Sequence, residues 1–420
     1  MKKVFLIAMA IFIVLSPLSA AGSQEQAGGK VVVEVFQAKV EIKDQLEAVA
    51  QQYMASHPDV QLNVTTIGGG EDWKASLQSK FLSGNAPDIF VVNGPEELND
   101  WISMLADLSD TACALGAYDT AIEDVTVDGK VYGLPVNLEG FGLVYNKSIF
   151  EKAGIDADEI DTWNELVDAV KLLDSKKEEL GLTAVFAQNC SQYQALSNMA
   201  ATIYLSPELE NGRKTLETAE LGFTYSDEFK EYIDLLQQYG IQPSLSVTYA
   251  DQVNRYFCLG EVAIIPQGNW IFNTIKQMDA QLAENVGIMG IPIDSIGTDY
   301  VYVNVPYYWV VNKDNSGEVI EASKDFLDWL YTSDEGKDLV VELLSFLPAY
   351  TGYEEMSIND PLSQDIYDCY TSGNSIPFIY NAYPAGFANE FADYLQSYIA
   401  GKMEWSEVIE NTKASWRNLK

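Results

Sequence analysis

The chain has 420 residues, 62 of them acidic and 25 basic, for a formal net charge of -37. So acidic a surface repels nucleic acid and anionic headgroups, while a hydrophobic share of 47% sets the sequence among folded proteins of two or more domains. The single histidine, His57, excludes zinc sites built from several His and leaves no candidate for a Ser-His-Asp or Cys-His pair.

In chain order, the N-terminus reads as an export signal. Lys2 and Lys3 precede an apolar run over 4–15, too short to span a bilayer, and Pro17 breaks it before the small residues Ser19 and Ala21. We expect a signal peptide over 1–21, a flexible leader over 22–29, and an exported, periplasmic mature chain. No cysteine occurs before Cys113, so no thiol near the cleavage point is expected to carry a lipid. Cys113, Cys190, Cys258 and Cys369 allow three pairings or none, and the sequence does not choose.

After Lys30 the run VVVEVF predicts a strand. Leu46, Val49, Ala50 and Tyr53 then fall at helical spacing over 42–56. Residues 60–67 alternate and are β-branched, which predicts a second strand. A helix after Asp72 stops at Gly84, and 87–93 is a short apolar run suited to a strand buried on both faces. Strand–helix–strand–helix–strand implies a parallel sheet with helices on its faces. The alternation resumes after residue 160, where Thr162 and Glu165 form a capping box ahead of an amphipathic helix. Strands are predicted near 262–266, over 286–292 and over 300–313, and two helices around Gly401 close the chain. The fold class is α/β, in two lobes.

Several stretches carry polar or aromatic residues where packing alone does not require them. GGGEDW (68–73) resembles a phosphate loop, but Glu71 and Asp72 would occupy the helix start themselves, so it reads as a turn with an N-cap. The strand 87–93 ends at Asn93, and ligands of open parallel sheets bind beyond the carboxyl ends of strands. Trp270 follows a Gly–Asn turn, PYYWVV carries Tyr308, and NAYPAGF carries Tyr383; each is a candidate for stacking on a sugar. Glu139 lies inside the apolar run YGLPVNLEGFGLVYNK, where a carboxylate is costly unless something meets it. A glycosidase would need a second carboxyl about 5 to 9.5 Å away, and no other position is marked as one.

Taken together, SGNAPDIF, DGKVYGLPVNLEGFGLVYNKSIFEKAGI with TWNELVDAV, FCLGEVAIIPQGNW and ASKDFLDWLYTSDEGKDLV resemble, in order and spacing, the family 1 extracellular solute-binding proteins of ABC importers, the sugar-binding group that includes maltose-binding protein. The resemblance implies two α/β lobes, each a sheet flanked by helices, joined by a hinge of crossing strands. The first would comprise 30–137 and 291–312, the second 140–289 and 315–420. It implies a saccharide ligand between them, permease subunits of an ABC transporter as partners, a monomer, no cofactor, no metal and no catalysis. Glu139 matches a hinge carboxylate that binds sugar hydroxyls, Trp270 a stacking Trp, and Lys39 with its neighbour Gln37 a polar ligand position. Asn93, Tyr308 and Tyr383 complete the expected ligand set. Residues 92–96 lack the Trp, Asp and Arg that hold linear maltodextrin in maltose-binding protein, which points to another sugar. The readings kept beside this one are an exported carbohydrate-active enzyme using Glu139 and a same-fold binding protein for a non-sugar solute.

Overall fold

The computed structural model describes residues 29–68, 72–296, 300–358 and 360–420; the expected signal peptide and the leader to residue 28 lie outside them. Among the described residues twelve strands appear in order: β1 (Val31–Gln37), β2 (Val60–Thr66), β3 (Ile89–Val92), β4 (Thr126–Val127), β5 (Lys130–Val131), β6 (Leu134–Pro135), β7 (Glu139–Asn146), β8 (Ile264–Gly268), β9 (Val286–Met289), β10 (Val301–Asn304), β11 (Tyr308–Val311) and β12 (Ser375–Ile376). They build two five-stranded sheets and one small hairpin, β4 with β5.

The first sheet runs β2-β1-β3-β11-β6. Its first three strands are parallel, joined by the helices Lys43–Ser56 and Trp73–Leu82, as the alternation predicted. The first helix buries Leu46, Val49, Ala50 and Tyr53, the predicted stripe. In the second sheet, β7 is central: β8 pairs along one edge, and β10 and β9 share the other. Successive β7 side chains point to opposite faces. Phe141, Leu143 and Tyr145 enter the core beneath the C-terminal helices, while Val144 joins the core on the other face. Glycine occupies 140 because the helix Pro361–Ser372 lies so close that a Cβ there would come within 2.7 Å of Ile366.

Three segments carry the chain between the sheets, and they touch. Residues 136–138 lead from β6 to β7, 305–307 return from β10 to β11, and 347–358 run towards the helix Pro361–Ser372. Val136 N donates to the Tyr307 carbonyl (3.0 Å) and Leu138 N to the Leu347 carbonyl (2.8 Å), so the first crossing lies between the other two. Side-chain amides hold the second: Asn93 Nδ2 donates to the Pro306 carbonyl (2.6 Å), and Val305 N donates to Asn304 Oδ1 (2.8 Å).

The late part of the chain divides differently from the sequence expectation. The strand at 301–304, expected in the first lobe with 291–312, is hydrogen-bonded to β7 in the second sheet. The helix Gly317–Thr332, expected in the second lobe with 315–420, packs on β1 and β11 of the first. An amphipathic pattern shows that an element packs on a sheet, not which sheet. Cys113, Cys190 and Cys258 are buried thiols. Burial pushes Cys190 and Cys258 up to about 11, which keeps them protonated and unreactive.

A further link joins the lobes beside the crossings. Asp124 of the first lobe is buried and accepts the Arg213 N–H (3.1 Å) from the second-lobe helix Gly212–Glu217. Burial pushes its carboxyl up to about 6, with Glu123 adding and Arg213 opposing. The folded value lies above the unfolded one of about 4. Asp124 therefore contributes stability that is full below about pH 4 and is lost as pH rises through about 6. In urea unfolding, the wild type is expected to lose more stability between pH 4.5 and 7 than Asp124→Asn does. Parallel pH profiles would show that this carboxyl does not titrate as the structure implies.

Candidate functional site

Where β1 ends, Gln37 folds back on its own chain. Its Oε1 accepts the Lys39 N–H (2.5 Å), and its Nε2 donates to the Lys39 carbonyl (3.0 Å) and to Thr66 Oγ1 at the end of β2 (2.6 Å). These bonds fix the turn that carries Lys39 inward. Lys39 Nζ reaches Glu139 Oε1 at 2.5 Å, with the side chains only 7% and 11% exposed. This is what meets the carboxylate in the apolar run. Glu139 is the first residue of β7, directly after the first crossing, so a cation of the first lobe meets an anion at the entrance to the second. Asn137 Nδ2 also approaches Glu139 Oε1, at 3.4 Å.

Beyond the end of β8, a short turn over Asn269–Ile271 presents Trp270. Asn269 fixes that turn: its Oδ1 accepts the Gly140 N–H (3.1 Å) and its Nδ2 donates to Ser363 Oγ (3.0 Å). Gly268 is required there, because a Cβ would collide with the Trp270 ring and with the Gly140 carbonyl.

Glu139 and Trp270 stand on the wall of a cleft of about 660 Å³ between the lobes. The first lobe supplies Trp73, Lys74 and Asn93, with Tyr307 from the second crossing; the second supplies Tyr193, Gln194 and Asn198. Tyr307 meets Trp73 edge to face, with ring centroids 5.9 Å apart. Tyr380 also lines the cleft and stacks on Phe378 (4.7 Å); burial raises its phenol well above the usual range, and Glu139 adds to the rise. Lys74 pairs with Glu97 (3.2 Å), so both cleft lysines face a carboxylate. Behind Glu139 and Trp270 lies a recess of about 30 Å³, also lined by Lys39, Asn137 and Asp360, a size suited to one or two waters. Burial pushes the Asp360 carboxyl up to about 6, although it accepts bonds from Ser363 and Leu362. Among the described residues no group of three or more His, Cys, Asp or Glu could hold a metal.

Of the residues singled out in the sequence, Lys39, Asn93, Glu139 and Trp270 converge on this cleft and its recess, with Gln37 directly behind Lys39. Tyr308 and Tyr383 do not. Tyr308 is fully buried in β11, because alternation turns it away from the cleft and leaves its neighbour Tyr307 there. Tyr383 packs edge-on against Phe387 (5.1 Å) and Trp416 (6.0 Å) in the second-lobe core, and Tyr380, three residues earlier, lines the cleft. The sequence reading also missed Trp73 and the Gln194–Ala200 segment. Asp72 caps its helix through Ala75 N (3.0 Å), as the N-cap reading of GGGEDW expected, while the turn expected at 69–71 lies outside the described residues; Trp73 beside Asp72 faces the cleft. Residues 194–200 form a π-helix, whose wide turn has no signature in an apolar pattern.

Comparison with known proteins gives concordant results. A family model described as bacterial extracellular solute-binding protein matches residues 48–365. A multiple sugar-binding protein of Streptococcus mutans is 21% identical over 67% of this chain, a stretch spanning 66% of the relative's own length. The melibiose/raffinose/stachyose-binding protein MelE of Bacillus subtilis is 20% identical over 81% of this chain and 79% of its own. A solved chitin oligosaccharide binding protein superposes with a TM-score of 0.78 at 20% identity, covering 93% of this chain and 99% of that one.

A buried pair is held by mutual attraction against desolvation, and removing one partner leaves the other charge stranded at about 3–5 kcal/mol. Lys39→Met and Glu139→Gln are each expected to destabilise the chain by an amount of that order. The double variant should cost less than the sum, since no charge is then left unpaired. A cycle of urea denaturations measures this; additive costs would mean the two groups do not interact.

Proposed function

The chain belongs to the bacterial extracellular solute-binding protein family, and we propose that it is the binding component of an ABC importer, capturing a neutral sugar or oligosaccharide between its lobes. One observation carries the reading. A hydrogen-bonding ion pair, Lys39 with Glu139, lies at the junction of the lobes beside the aromatic faces of Trp270, Tyr307 and Trp73. Sugars offer hydroxyl groups in the ring plane and C–H faces above and below it. A pinned carboxylate and ammonium serve the first, and flat aromatic rings serve the second.

The charge balance favours a neutral solute. Each cleft lysine already faces a carboxylate, so an anionic solute would have to compete for it. Glu139 already accepts a hydrogen bond from the Lys39 ammonium and lies beside Asn137, an arrangement suited to accepting further hydrogen bonds from sugar hydroxyls.

In this account the first lobe is 30–135 with 308–346, the second 139–304 with 361–420, and the three crossings form the hinge. A ligand touching both lobes binds the closed state better and shifts the population towards it. Delivery to a permease, export to the periplasm and a monomeric state complete the proposal. The relatives' names supply probes: raffinose, stachyose and chitin oligosaccharides. A thermal-shift screen with these and with monosaccharides should find one whose stabilisation grows with its concentration. Trp270→Ala should then weaken that saccharide by about tenfold or more in calorimetric titration, from lost stacking area. Unchanged affinity would remove Trp270 from the site, and a screen with no responding saccharide would sink the reading.

A further inference from the structure

The indole of Trp270 is not oriented by packing alone. Its Nε1–H donates to Gln267 Oε1 at 2.8 Å. Gln267 Nε2 donates to Gln252 Oε1 at 2.8 Å. Gln252 Nε2 donates to the Ala187 carbonyl at 2.8 Å, with the Pro266 carbonyl at 3.4 Å. Both glutamines are 1% exposed, and neither lines the cleft.

The relay has one polarity. An indole nitrogen only donates and a backbone carbonyl only accepts. Each amide between them must therefore turn its oxygen towards Trp270 and its NH2 away from it. Flipping either amide sets donor against donor or acceptor against acceptor, in a buried place where an unmade bond costs most. An apolar pair of the same length would fill this space without the cost of burying two amides. What the amides add is direction. They tie the ring through three bonds to Ala187, outside the turn that carries it. Gln252 itself sits on the π-helix Asp251–Phe257, and turns of that kind often lie beside functional sites.

We propose that Gln267 and Gln252 are positioning residues that set the plane of the Trp270 indole against the cleft, and so govern saccharide affinity without touching the saccharide. The proposal rests on the saccharide reading of the cleft. Its test therefore has one arm that needs no ligand.

The full mature chain is labelled with ¹⁵N at its indoles, and the Trp270 signal is assigned by its loss in Trp270→Phe. The variants are Gln252→Met, which keeps length without hydrogen bonds, and Gln252→Glu, which keeps the acceptor for Gln267 but offers no donor to Ala187. Circular dichroism checks the fold of both, and Gln267→Met stands in if either fails. In each folded variant the Trp270 indole N–H should shift and exchange with solvent about tenfold faster or more, as expected when a buried bond is lost. In the second arm, with raffinose and chitotetraose as probes, affinity for whichever binds the wild type should fall about tenfold, while the variants keep their cooperative melting. An unmoved indole signal in a folded variant overturns the relay, and a moved signal with unchanged affinity overturns its control of binding. If neither these probes nor any other saccharide of the thermal-shift screen binds the wild type, the saccharide reading fails, and the indole arm still decides whether the relay holds the ring.

Discussion

A carboxylate and an ammonium removed from water must find each other, and the meeting of Lys39 with Glu139 imposes that condition on the whole molecule. Lys39 comes from the end of the first strand, and Glu139 from the point where the chain enters the second sheet, a hundred residues later. For the pair to form, the ends of β1 and β7 must lie together, and so must the two sheets. The Gln37 bonds at one end and Asn137 at the other hold the two groups in register. The pair is one buried contact that both lobes must satisfy at once.

The crossings show how such a junction is built, and the proposed hinge would turn about them. Backbone bonds among the three segments are few, and the side-chain amides of Asn93, Asn137 and Asn381 approach further carbonyls, those of Pro306, Leu138 and Val305. Rotation about them would change a few dihedral angles while each sheet stays whole, as hinge motion requires. Around them the packing is close enough to need glycine at 140 and 268, so the ring of Trp270 and the helix Pro361–Ser372 lie directly on the backbone. Three π-helical turns gather near the cleft and its recess. Gln194–Ala200 supplies the far wall, Asp251–Phe257 backs Trp270, and Leu339–Leu343 leads into the recess at Leu344 and Ser345.

Much of the architecture was legible in the sequence, because periodicity reports burial. The parallel start of the first sheet, the stripe Leu46–Val49–Ala50–Tyr53 and the capping box at Thr162 all follow from local rules. Glu139 was legible for the opposite reason, as a violation of its surroundings. What local rules do not carry is which sheet an element joins, hence β10 and the helix Gly317–Thr332. Nor do they fix which of two adjacent tyrosines faces a cleft. Tyr307 and Tyr308 differ by one step of alternation, and Tyr380 and Tyr383 by one turn of chain. The partner of Glu139 was likewise out of reach, because contact across a hundred residues leaves no local trace.

The proposed account makes the cleft a place where a sugar adds its hydroxyls to an ion pair already formed, against rings already oriented. A crystal structure of the chain with its tightest saccharide tests this most directly. The account predicts sugar hydroxyls on the Glu139 carboxylate, a sugar face on the Trp270 indole, and contacts from both lobes. A saccharide held by one lobe alone, or bound away from Glu139 and Trp270, would contradict it.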